Sequence, residues 1–127
     1  MRKLLPVLIL AAVATSGGAV QRRGEIPAAT PVGEARTCIP LRSIRETRVR
    51  SDQVIDFMMS GRRTYRVTMP RPCPGLGFEE RFTYSTSLSQ LCAQDIITVL
   101  QQAGGIQRGA SCGLATFQPV TLAAKTR

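Results

Sequence analysis

RETRVRSDQVIDFMMSGRRTYRVTM, Arg45 to Met69, is the stretch that decides the fold. Its apolar period is two. Val49 sits between Arg48 and Arg50; Ile55, Phe57 and Met59 alternate with Val54, Asp56 and Met58; Tyr65, Val67 and Met69 alternate with Thr64, Arg66 and Thr68. Such alternation marks strands with one face in a core and one outside it. Ser51-Asp52 and Ser60-Gly61 punctuate the pattern as turns, which makes a three-stranded meander. Directly opposed residues share a face, so Phe57 and Tyr65 share the core only across a loop of odd length. A loop of Ser60, Gly61 and Arg62 sets Phe57 against Tyr65, Ile55 against Val67 and Asp56 against Arg66. A loop of Ser51, Asp52 and Gln53 sets Val49 against Ile55 and Arg48 against Asp56. The outer face then carries a row of Arg48, Asp56 and Arg66. Placing Gly61 at the last loop position, which turn chemistry prefers, shifts the second hairpin by one pair. The faces are therefore firmer than the register.

Working outward, Pro70 to Gly77 holds three prolines and two glycines around Cys73, which excludes a central strand and leaves a loop. Phe82 and Tyr84 alternate with Thr83 and Ser85 as a fourth strand. Asp95 to Gln101 is β-branched and apolar and reads as a fifth, with a short helix as the alternative. Cys112 to Val120 is the last, interrupted near Gly113 and Pro119. The expected architecture is all-β, a small antiparallel barrel or sandwich of about six strands. Ile55, Phe57, Tyr65, Val67, Phe82, Ile97 and Val99 are its expected core.

The first residues have another character. Arg2 and Lys3 precede an apolar run from Leu4 to Ala14, and Thr15 to Ala19 are all small. These are the three parts of a secretory signal, with cleavage expected after Ala19. The apolar run is about half the length a spanning helix needs, and nothing later in the chain resembles a transmembrane segment. The expected organisation is a signal peptide at 1–19, a flexible Pro- and Ala-containing linker at 20–37, the β domain at 38–120 and a tail at 121–127. The location that follows is periplasmic or secreted.

Cys38, Cys73, Cys92 and Cys112 then form an even set in a short exported chain, the pattern of a disulfide framework. Intervals of 34, 18 and 19 residues and the absence of histidine do not fit a zinc site. Four cysteines allow three connectivities. Cys73 and Cys92 flank the fourth strand, while Cys38 and Cys112 open the first and last, which favours 38–112 with 73–92. A disulfide closing a loop of about 20 residues adds roughly 3 kcal/mol in the chain-entropy model, a large share of what a small core supplies.

The segments RTYRVTMPRPCPGLGF (63–78), FTYSTSLSQLCAQDIITVL (82–100) and SCGLATFQPV (111–120) resemble a family of small exported proteobacterial proteins catalogued only as a domain of unknown function. The resemblance covers Cys38 to Val120. It implies a periplasmic or envelope location, and it brings no activity and no catalytic residues.

Enzyme chemistry finds little support. Without histidine the commonest general base is missing, and Ser-His and Cys-His nucleophiles are impossible. Glu79 and Glu80, read as strand residues, point to opposite faces. Asp56 and Asp95 are the other acids considered, the latter more simply a turn cap or an ion-pair member. The chain reads as a non-catalytic structural or interaction module without metal or cofactor. Its charge offers an alternative. The formal net charge is +9; losing Arg2 and Lys3 leaves fifteen basic and eight acidic residues, +7. Residues 36–71 carry nine arginines and three acids, whereas 72–120 sum to −1. Arg48, Arg50, Arg62, Arg63 and Arg66 are the candidate anion-binding set, because guanidinium forks suit phosphate and carboxylate. Lipopolysaccharide, anionic lipid, an acidic protein or another envelope protein are the partners this would admit; export argues against nucleic acid. The plain competing reading is a solvated sheet face that discourages edge-to-edge aggregation.

Overall fold

The structure, a computed structural model, describes residues 25–123 of the 127. The expected signal peptide, the start of the linker and the last four residues lie outside the described residues. The meander is as the parity argument requires. β3 (Ile44–Val49), β4 (Val54–Met59) and β5 (Thr64–Thr68) are consecutive antiparallel strands, after β1 (Ala29–Pro31) and β2 (Cys38–Pro40). Phe57 faces Tyr65, Ile55 faces Val67 and Asp56 faces Arg66. On the other side Val49 faces Ile55 and Arg48 faces Asp56. The three-residue loop thus prevails over the Gly-last alternative. Gly61 and Arg62 both take positive φ, 77° and 61°, inside it.

A one-turn helix, α1 (Leu76–Glu79), follows the Pro-rich loop. Then come β6 (Phe82–Tyr84), β7 (Gln90–Cys92), β8 (Ile96–Gln102), β9 (Ile106–Gly113) and β10 (Gln118–Leu122). The fold is all-β, and the described residues form three antiparallel sheets, ordered β1-β10-β5-β4-β3, β6-β8-β9 and β2-β7. The first two share a core as a sandwich, and neither closes into a barrel. Phe57 lies at its centre, wholly buried, edge-on to Phe117 at 5.6 Å and to Phe82 at 6.4 Å. Ile55, Tyr65, Val67, Ile97 and Val99 are buried as expected, and Phe82 is half-buried against them.

Several expectations need correction. Among the described residues ten strands replace the expected six or so, because β1, β2 and β7 are three-residue strands with no alternation to read, and the last segment splits into β9 and β10 around Leu114 and Phe117. Glu79 and Glu80 close a helical turn rather than occupying a strand. That turn packs where Gly77 meets the β3–β4 loop: its N–H donates to Asp52 Oδ1 at 2.7 Å, and a Cβ there would stand 3.0 Å from Asp52 N. The expected linker is partly ordered, since Ala29–Pro31 pairs with β10 and Arg36 bridges to Phe117. Main-chain hydrogen bonds order it with almost no side-chain burial, which hydrophobicity alone does not signal. Likewise β10 runs through Leu122, into the expected tail.

The disulfides are Cys38–Cys92 and Cys73–Cys112, not 38–112 and 73–92. Cys38 and Cys92 are direct cross-strand partners in β2–β7, an arrangement that closeness in sequence cannot reveal. Cys73, wholly buried, ties the loop before α1 to β9. Among the described residues, no helix is long and apolar enough to cross a membrane.

Phe57→Ala should cost about 3–5 kcal/mol, since it empties the centre of the two-sheet core. Urea unfolding checks this, and a variant with the parental midpoint would place the core elsewhere.

Candidate functional site

The meander's outer face was expected to carry a solvated row of charge. Instead Asp56 is wholly buried on that face. Arg66 forms a fork on it, with Nε donating to Oδ1 at 2.7 Å and Nη2 donating to Oδ2 at 2.9 Å. Arg50 Nε donates to Oδ2 at 2.9 Å. The two arginine side chains are themselves only 15% and 14% exposed. Two long side chains lying across the sheet bury one short one, and their aliphatic stems and planar heads do what a second layer would otherwise do. Burial pushes the Asp56 carboxyl up in pKa. The hydrogen bonds from Arg66 and Arg50, with their positive charges, more than offset this and hold it below the ordinary carboxylate value. Arg48, opposite Asp56 in register, turns to Glu46 at 2.9 Å on the exposed edge.

The five candidate arginines therefore divide. Arg48, Arg50 and Arg66 are committed to carboxylates within the domain. Arg62 and Arg63 sit at the β4–β5 turn, exposed, and line a cleft of about 590 Å³ at the end of the five-stranded sheet. Its opposite wall is the segment 32–36, which contributes Val32, Glu34 and Arg36. That wall is hung on β10: Val32 N–H donates to the Pro119 carbonyl at 2.9 Å, Gln118 Nε2 donates to the Gly33 carbonyl at 2.9 Å, and Arg36 and Phe117 exchange two bonds of 2.8 Å. An adjoining cleft of about 410 Å³ shares Arg36, Arg63 and Tyr65 with the first. Among the described residues, no carboxylate lies within salt-bridge distance of Arg36, Arg62 or Arg63. Three arginines and one glutamate, Glu34, thus line one concavity with a formal charge of +2.

Arg36 was not among the sequence-derived candidates. It belongs to the stretch read as linker, and only its pairing with Phe117, eighty residues later in round terms, carries it to the turn. Asp95 accepts a hydrogen bond from the Cys92 N–H at 2.7 Å and so caps its turn. No cluster of metal-ligating side chains occurs among the described residues. Compared with family models, with curated proteins and with solved structures, the chain matches none.

Asp56 stabilises the fold above its unfolded-state pKa of about 3.9, and that contribution is lost as pH falls through the depressed folded value. Asp56→Asn should cost about 3–5 kcal/mol at neutral pH by leaving two mostly covered guanidiniums unpaired. It should also flatten the loss of stability below about pH 4. Parallel acid curves for variant and parent would remove Asp56 from that role.

Proposed function

We propose that this chain is an exported, non-catalytic interaction module of the cell envelope that docks an anionic partner on the cleft bordered by Arg36, Arg62 and Arg63. One observation carries the reading: Arg36, Arg62 and Arg63 line a single concave site, while Arg48, Arg50 and Arg66 pair with Glu46 and Asp56. The solvated-face reading accounts for the exposed Arg48 but not for the buried Asp56 cluster. It gives no reason for three like charges to border one cleft. Two disulfides fit an oxidising compartment. The signal-like first nineteen residues and the resemblance to exported proteobacterial proteins make the periplasm the preferred location.

The test is binding of the protein to a fluorescent soluble polyanion, dextran sulfate, across a salt series. Affinity should fall steeply as the Debye length shrinks toward about 8 Å. Replacing Arg36, Arg62 and Arg63 together by Ser should weaken low-salt binding about tenfold, the sum of three modest exposed charge contacts. Replacing Arg45 and Arg48 on the β3 edge should change it less than about twofold. Absent binding at low salt, or equal losses in the two variants, would overturn the reading.

A further inference from the structure

We infer that the occupant of this cleft is the phosphate-monoester headgroup of a lipid, an inference that rests on the anion-binding reading above and narrows it to one chemistry. Charge is the first ground. A phosphate monoester carries about −1.5 to −2 near neutral pH, which matches three arginines and one glutamate. A diester carries half of that. Guanidinium forks grip the several oxygens of a terminal phosphate in pairs, a geometry that an isolated carboxylate of an acidic chain fills only once.

The second ground is the turn. Arg62 holds a left-handed backbone, φ 61°, directly after Gly61 at φ 77°. That conformation disfavours every residue with a side chain, and glycine is the natural occupant. Nothing lies within 4 Å of a Cβ built on Gly61, so the neighbouring structure does not crowd the tip of this turn. An arginine kept where glycine would be easier points to a use for its side chain, and Arg62 lines the cleft.

The third ground is apolar. Val32 is 57% exposed and lines the same cleft as the three arginines. An exposed aliphatic side chain beside a cationic site suits the boundary between headgroups and acyl chains, where surface-bound proteins seat their apolar residues. A soluble polyanion offers such residues nothing.

The experiment measures binding of the full mature chain to vesicles of neutral lipid doped with phosphatidic acid, and to vesicles doped with phosphatidylglycerol to the same surface potential. Dextran sulfate and inorganic phosphate serve as soluble arms. The monoester vesicles should bind about fivefold tighter or more, given one additional charge in contact with the arginines. Val32→Ser should weaken vesicle binding about three- to tenfold, as expected for one aliphatic group withdrawn from burial, and leave dextran sulfate binding unchanged. Arg62→Gly should keep or raise the melting temperature, since it relieves the left-handed backbone, yet lose several-fold in vesicle affinity; this separates a binding role from a structural one. Equal binding to the two vesicles, or a Val32→Ser variant equal to the parent, would overturn the lipid inference while arginine-dependent dextran sulfate binding leaves the broader reading standing. Phosphate competition without any effect of Val32→Ser would assign the site to a soluble phosphate and overturn it likewise. Binding to no probe would overturn both.

Discussion

Covalent closure is the constraint on which the rest of this domain depends. The β2–β7 sheet has only three residue pairs, and two such strands do not hold together in water without support. Yet this small sheet supplies Ile39 and Leu91, both essentially without solvent contact, to the core. Cys38–Cys92 keeps it in place. Cys73–Cys112 does the same for the Pro-rich loop, holding α1 so that Leu76 is also fully buried. The bridged residues are 54 and 39 positions apart. Loops of that size correspond to about 4 kcal/mol each in the chain-entropy model, taken singly. Small domains have roughly 5–15 kcal/mol in all, so either bond is a substantial part of the whole.

The electrostatics follow from the same shortage of core. With one face of a five-stranded sheet uncovered by a second layer, the chain uses arginine stems as cover and one aspartate as the point that holds them. Truncating a partner of such a buried cluster is costly even where its net worth over apolar packing is small. It also consumes cations. Once Arg50 and Arg66 serve the sheet and Arg48 serves its edge, the basic character that remains concentrated in a concave place is at the far end of β4 and β5. The arginines that pair with a carboxylate, Arg48, Arg50 and Arg66, are distinct from those that line the cleft, Arg36, Arg62 and Arg63.

Local pattern made part of this legible. Phe57, Tyr65, Ile55 and Val67 could be placed on one face, and opposite one another, from parity and turn position alone, because these constraints act within one hairpin, from Ile55 to Val67. Asp56 and Arg66 could be paired in register for the same reason. That Asp56 would be buried could not, because its cover comes from the rotamers of Arg50 and Arg66, which no periodicity encodes. Cysteine connectivity failed for a related reason. Nearness in sequence suggested 73–92, whereas the pairing of β2 with β7 is decided by the whole sandwich. Arg36 was missed because its segment is ordered through backbone bonds to β10 while Thr30 and Pro31 remain exposed. A reading based on hydrophobic burial passes over such a strand.

Mapping the disulfides of the protein recovered from its native compartment tests the account most directly. Proteolysis without reduction, followed by mass spectrometry, should yield peptides joined through Cys38–Cys92 and Cys73–Cys112. Free thiols at these positions, or linkage of Cys38 to Cys112, would contradict the account, because the β2–β7 sheet and the core it caps would then lack the bond that holds them.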